Sequence, residues 1–140
     1  MATSSGGGIG NTVSFKAAGD LSTKQYCGVY LTAANTVGTA SVDTNTPIIG
    51  ILQNKPKAAG SPADVLMINN CVSKIVTSGT IAAGAKCICG TDARFRAALS
   101  ADAVTTVQAL IAVEASTTAA SAGGGDIITA ISAPAVGTTS

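Results

Sequence analysis

The chain carries an internal repeat, and this feature constrains its fold more than any other. Residues 79–89 resemble residues 19–29 at an offset of 79 − 19 = 60 positions, which aligns Cys87 with Cys27. Shorter matches at an offset of 111 − 49 = 62 positions relate 111–113 to 49–51 and 126–128 to 64–66. A solenoid needs three or more repeats to bury its faces. The sequence therefore predicts a duplicated β-unit that closes on itself.

Short β-strand signals recur at about ten-residue spacing, as is typical of a sandwich or barrel. Glycine, proline and asparagine separate the signals, because these residues favour turns. The predicted strands lie near residues 25–32, 37–42, 47–53, 64–69, 72–77, 86–90, 94–98, 107–114 and 126–132. We expect an all-β fold, a small β-barrel or β-tulip-like domain built from two related β-units.

The domain organisation follows from the same pattern. The predicted segments are an arm at 1–12, a β-domain at 13–132 with copies at about 19–68 and 79–131, and a tail at 133–140. The arm is polar and glycine-rich, so we expect it to be flexible. Ile9 and Val13 could anchor it on a neighbouring surface, since disordered segments can order on binding.

The charge content indicates a chain that associates with other chains. Charged residues make up 11% of its 140 residues, against about 25% in ordinary soluble domains. The net charge of +1 forms no basic stripe, which argues against nucleic-acid binding. The longest apolar run falls far short of a membrane span. With no export signal at the N-terminus, we expect synthesis in the cytosol.

Candidate catalytic and metal-binding groups are few. The chain has no histidine, so the commonest general acid or base is missing and no cysteine–histidine pair can form. Cys27, Cys71, Cys87 and Cys89 lack the paired spacing of a structural zinc site. We expect them to be buried, reduced and metal-free. The sequence predicts no enzyme activity and no cofactor.

Two corresponding loops differ in chemistry. Residues 52–64 carry Lys55, Pro56 and Lys57, whereas residues 114–126 contain an uncharged, pliable stretch at 116–125 that includes Gly124. Equivalent loops of different chemistry suit different neighbours. The candidate capsid or neighbour contacts are Ile9, Val13, Lys55, Pro56, Lys57 and Gly124.

Several segments together resemble the phage capsid decoration, or head-cement, proteins. The matching segments are 20–26, 48–56, 58–60, 63–65, 79–84, 112–115 and 125–128. The resemblance spans about residues 13–132, although Cys27 and Gly28 stand where tyrosine and alanine are expected. It implies a small β-barrel-like fold and a homotrimer bound to the major capsid protein. It further implies a virion protein on the outer capsid surface, made in the host cytoplasm, without enzymatic activity.

Other functions remain open from the residues. A tail or baseplate component would have a similar composition, and a β-rich surface adhesion module would call for an export signal. A ligand-binding module would need converging aromatic and polar side chains. Phe15, Tyr26, Tyr30 and Phe95 are few for that purpose.

Overall fold

The structure is a computed structural model that describes residues 10–39, 48–68, 71–98, 110–116 and 126–132. Within these ranges the chain forms short β-strands and one 3-10 turn at Thr91–Ala93. The strands are β1 Thr12–Ala17, β2 Gly28–Ala33, β3 Thr36–Gly38, β4 Gly50–Leu52, β5 Pro62–Met67, β6 Val72–Val76, β7 Lys86–Cys89, β8 Phe95–Ala97, β9 Leu110–Ala112 and β10 Ile127–Ser132. The predicted all-β fold is confirmed. None of the helical structure in these ranges is long and apolar enough to cross a membrane.

The predicted strands each overlap one observed strand, from β2 to β10. β1 is not among the predicted strands, although Val13, Phe15 and Ala17 alternate with polar residues along it. Thr12 pairs with Leu66, and the backbone N–H of Met67 donates to the carbonyl of Asn11. Residues 10–12, assigned to the arm from the sequence, therefore belong to the edge of the β-domain, and residues 1–9 lie outside the described residues.

The first five strands form a closed barrel in the order β1-β3-β2-β4-β5. β1 completes it by pairing parallel with β3 and antiparallel with β5. Alternate side chains along each strand point inward. Together with Leu21 from the connection between β1 and β2, they form a core of Ala17, Val29, Val37, Leu52, Ala63 and Val65.

The last five strands form a second sheet with the same connectivity, in the order β6-β10-β9-β7-β8. β6 to β10 take the places of β1 to β5. The parallel β1–β3 ladder has its counterpart in one isolated parallel bridge between Thr77 and Phe95. The second unit is therefore a less completely closed copy of the first, in agreement with the prediction of two related β-units.

The strand registers relate the two units residue by residue. Val29 pairs with Gly50 as Cys87 pairs with Leu110, which gives offsets of 87 − 29 = 58 for β2 and 110 − 50 = 60 for β4. The other pairings give 60 for β1 (73 − 13), 58 for β3 (95 − 37) and 65 for β5 (130 − 65). Every ladder of the first unit is thus matched in the second.

These registers correct the alignment read from the sequence. Cys87 is the structural counterpart of Val29 rather than of Cys27. The counterpart of Cys27, at an offset of 58, is Ala85. A shift of two residues keeps the same side chains on the same face of a strand. The hydrophobic pattern therefore does not reveal the shift.

The turn geometry is repeated as well. Tyr26 and its counterpart Gly84 both have left-handed backbones, with φ of 68° and 83°. Asn35 and its counterpart Ala93 do too, with φ of 54° and 63°. Left-handed backbone is uncommon outside glycine, so its recurrence at matched positions supports the residue equivalence.

The two cores are filled by different side chains at matched positions. Val37 in the first core corresponds to the larger Phe95 in the second, whereas Leu52 corresponds to the smaller Ala112. Cores tolerate such exchanges when the total volume is kept. The repeated backbone thus holds two different packings.

The first unit packs against the open side of the second. The backbone N–H of Val76 donates to the carbonyl of Tyr26 at 3.1 Å, and Gln53 Nε2 donates to Ser73 Oγ at 3.1 Å. Cys27, Ile48 and Ile51 of the first unit belong to the core cluster of the second. The first unit therefore completes the core that the second sheet leaves open.

Gly50 on β4 allows a close approach to β5. A Cβ at this position would overlap the carbonyl oxygen of Leu66 and lie 2.5 Å from Val65 Cγ1. We expect Gly50→Ala to lower the free energy of unfolding by about 2 kcal/mol or more, because the backbone would have to shift. Urea denaturation measures this change.

Gly19→Ala is the matched control, since a Cβ at Gly19 would meet nothing within 4 Å. It should change the free energy of unfolding by less than about 0.5 kcal/mol. Equal stability of the two variants would contradict the close β4–β5 packing.

Candidate functional site

The loop between β4 and β5 is held in place by hydrogen bonds. The backbone N–H of Leu21 donates to the carbonyl of Pro56 at 2.8 Å. Asn54 Nδ2 donates to the carbonyl of Pro62 at 3.0 Å, and Asn54 Oδ1 accepts from the backbone N–H of Asp64 at 3.0 Å. The loop therefore presents its side chains from a preorganised backbone, which lowers the entropic cost of binding.

The two lysines of this loop are exposed, as a contact surface requires. Lys57 lies close enough to Asp20 to affect its titration. Hydrogen bonds from the hydroxyl and backbone N–H of Ser22 lower the pKa of Asp20, and the positive charge of Lys57 lowers it further. Lys57 thus lies near a carboxylate that stays ionised at neutral pH.

The other predicted contact residues fall in different places. Val13 lies on β1 and is 42% exposed. Pro56 is buried, so its side chain cannot form a contact surface, and its carbonyl instead fixes the loop on Leu21. Ile9 and Gly124 lie outside the described residues.

Sequence reasoning did not single out a set of exposed apolar side chains. They are Leu31, Val113, Ile127 and Ile131, with exposed fractions between 37% and 55%. A signal was available in β10, where apolar residues occupy both faces of the strand. Such a strand is typically covered on both sides.

Val113 is held rigidly beside β10. Its backbone N–H donates to the carbonyl of Thr129 at 2.9 Å, and the backbone N–H of Thr129 donates to Glu114 Oε2 at 2.9 Å. The hydrogen bonding of Thr129 lowers the pKa of Glu114. The exposed valine therefore stands on a fixed strand edge.

An open depression of about 330 Å³ lies beside the start of β3 and β5. Its lining residues are Ser14, Phe15, Lys16, Asn35, Gly60 and Pro62. Small-molecule sites bury most of their ligand among apolar and aromatic side chains. This shallow site matches a surface contact better than a small-molecule site.

The comparisons with known proteins bear on the fold. No protein-family model matches the chain, and no curated protein does either. Among solved structures, the chain is similar to the head fiber gp8.5 N base of bacteriophage phi29, at a TM-score of 0.61 and 15% sequence identity. The similarity covers 88% of this chain and 93% of that one. The two chains share a fold along nearly their whole lengths.

The four cysteines are buried. Burial raises the pKa of the Cys27 thiol from its ordinary 9.0 to about 11, and it does the same for Cys87. The thiolate is the reactive form. Within the ranges that the structure describes, no group of three or more cysteine, aspartate or glutamate side chains is placed to hold a metal ion.

We expect the thiols to resist a thiol reagent at pH 8 in the native protein and to react once it is unfolded. Stability should also fall between pH 9 and about 11, because there the unfolded thiols lose protons and the folded ones keep theirs. Below pH 9 both states are protonated and this contribution is constant. Fast native labelling, or an unchanged pH slope in Cys27→Val, would contradict the assignment.

Proposed function

We propose that this chain is a structural protein of a phage virion, which binds the outside of the assembled head as a decoration protein and stabilises it. The observation that carries the proposal is the fold shared with the head fiber gp8.5 N base of bacteriophage phi29 over 88% of this chain. The sequence resemblance to decoration proteins rests on the matching segments within about residues 13–132, and it favours the same role.

The composition and surface support this role. Only 11% of the residues are charged, which suits a protein covered by neighbours. Apolar side chains at 37–55% exposure provide contact area. The β4–β5 loop adds two lysines on a preorganised backbone. In this proposal the partner is the major capsid protein, and the chain acts by binding rather than by catalysis.

The physical mechanism is the thermodynamic linkage between binding and shell stability. A protein that binds only the assembled shell stabilises it by mass action, by about 2.7 kcal/mol per site at a hundred times the dissociation constant. A homotrimer would place three such contacts on neighbouring capsid subunits. Linked contacts raise the overall affinity without any new contact.

A second candidate is the base of a head fiber, because the similar solved structure is described as one. A fiber base need only attach to the head, whereas a cement protein must also stabilise it. A tail or baseplate protein would bind neither undecorated nor decorated heads. Head binding and head stability together separate these roles.

We expect purified protein to bind heads that lack it and to raise the temperature at which they release DNA. Sedimentation of mixtures measures binding, and a heating series with a DNA-binding dye measures release. Binding without a rise in release temperature would favour the fiber base. No binding to any head would overturn the proposal.

The double variant Lys55→Glu, Lys57→Glu tests the β4–β5 loop. We expect its dissociation constant from heads to rise about tenfold, since reversing charges at an interface weakens association. The double variant Lys16→Glu, Lys74→Glu is the matched control, because it changes the charge equally and both lysines are exposed but lie on β1 and β6. Equal loss in both would assign the effect to net charge rather than to the loop.

Removal of residues 2–9 tests the proposed arm. The deletion stops before Gly10 because residues 10–12 contact the barrel. We expect an unchanged melting temperature and weaker head binding, since the arm would add contacts outside the barrel. Unchanged binding would remove the arm from the attachment surface and leave the loops.

A further inference from the structure

The contact between the two units joins two definable surfaces. The docking face of the first unit consists of Gly28, Ile51 and Gln53. The seam of the second unit consists of Ser73, Ile75 and Cys89. Gln53 Nε2 donates to Ser73 Oγ at 3.1 Å, and a Cβ on Gly28 would lie 2.9 Å from Cys89 Sγ. Ile51 and Ile75 belong to one core cluster.

Because the units are duplicated, each surface has a counterpart in the other unit. The docking face of the second unit consists of Lys86, Ile111 and Val113. The seam of the first unit consists of Val13, Phe15 and Leu31. The strand registers together with the repeated left-handed turns set these equivalences, and Gly28 pairs with Ile51 as Lys86 pairs with Ile111.

The counterpart surfaces are uncovered in the single chain. Val113 is 53% exposed and Leu31 is 50% exposed, whereas Cys89, the counterpart of Leu31, is 9% exposed. Val13 is 42% exposed, against 1% for its counterpart Ser73. Ile111 and Phe15 are half-buried, and Phe15 packs against the core of its own barrel. Among the described residues, the counterpart surfaces are therefore open at Val13, Leu31, Lys86 and Val113.

The uncovered pair is the more apolar of the two. The polar contact between Gln53 and Ser73 corresponds to Val113 and Val13 in the uncovered surfaces. If the uncovered surfaces faced only water, valine would have no advantage over glutamine or serine at these two positions. Exposed apolar patches of this kind mark interaction sites.

We propose that the docking face of the second unit binds the seam of the first unit in another copy of this chain. The contact would repeat between chains the packing that joins the units within one chain. Val113 would meet Val13, Ile111 would meet Phe15, and the aliphatic stem of Lys86 would cover Leu31.

Two internal contacts are not repeated. Gly28 lets Cys89 approach closely, whereas Lys86 and Leu31 are larger at the matched positions, so the second copy must lie further away there.

The other contact that is not repeated is a backbone hydrogen bond. Within the chain the N–H of Val76 donates to the carbonyl of Tyr26, but its counterpart Lys16 already donates to the carbonyl of Asn35 at 2.8 Å. The contact between copies therefore uses side chains without the backbone hydrogen bond. It is a weaker copy of the internal contact, which suits assembly from separately folded chains.

Such an interface joins different surfaces and is therefore heterologous. Each copy offers one docking face and one seam, so the contact propagates head to tail and either closes into a ring or extends as a filament. The inference thus names the surfaces behind the proposed homotrimer. It rests on the proposed self-association and is independent of head binding.

Complementary variants test the head-to-tail arrangement. Leu31→Glu disables the seam and keeps the docking face, whereas Val113→Glu does the reverse. Each alone should be monomeric, with self-association weakened at least about a hundredfold, because a carboxylate would be buried without a partner. Mixed in equal amounts, the two variants should form a dimer that grows no further, as sedimentation velocity can show.

Two controls are matched to these positions. Thr32→Glu places the same charge on the neighbouring exposed residue of β2. Ile127→Glu changes an exposed isoleucine whose counterpart, Pro62, is also exposed. Both should assemble like the unaltered chain, and circular dichroism confirms that all four variants fold.

The inference is overturned if the unaltered chain is monomeric, if the mixed variants stay monomeric, or if Ile127→Glu disrupts assembly as strongly as Val113→Glu. If the two variants keep their oligomeric state but lose head binding, the surfaces contact the shell and the inference is also wrong. An assembling chain that binds no head would instead overturn the proposed function alone.

Discussion

The hydrogen bond from the N–H of Val76 to the carbonyl of Tyr26 joins β6 to the first unit, beside the gap between β6 and β8. In the first barrel the equivalent gap is bridged by the β1–β3 ladder, but in the second unit only the Thr77–Phe95 bridge remains. The core of the second unit would lose Cys27, Ile48 and Ile51 if the units separated. We therefore expect the first barrel to close on local contacts and the second to depend on it.

This dependence explains how a chain poor in aromatic residues builds a single domain. Each unit alone has a small core, and small cores give marginal stability. Joining the units adds Cys27, Ile48 and Ile51 of the first unit to the core of the second. Within the second unit, the hydroxyl groups of the buried Thr77 and Ser116 bond each other at 2.9 Å. The Ser116 hydroxyl also bonds the carbonyl of Gly79 at 3.0 Å.

The sequence predicted the all-β class, the two related units and the approximate place of most strands, because β-branched runs between turn residues are a local signal. It misplaced the repeat by two residues in β2, since Cys27 and Cys87 share a face under either register. It assigned Pro56 to the surface, because proline is usually exposed in loops. The burial of Pro56 depends on a hydrogen bond from Leu21, which is distant in sequence.

The docking face and the seam could not be predicted from the sequence for a related reason. Val13 and Val113 look alike in any hydrophobicity pattern, and only the paired registers show that their counterparts touch. Whether a side chain such as Val13 is exposed depends on how the strands pack together, and the sequence around it does not show this. Candidate contacts from the sequence lay in the arm, at Val13 and in the two corresponding loops, and of these Val13, Lys55 and Lys57 are exposed.

The two units also differ in the length of one connection between matched strands. The offset rises from 60 at β4 to 65 at β5, so the second unit joins the same two strands with 65 − 60 = 5 additional residues. Every ladder pairing survives this difference. The two units thus differ in the length of this connection and keep the same ladder pairings. The pairing of these strands does not depend on that length, so a peptide inserted between β9 and β10 would leave the ladders intact.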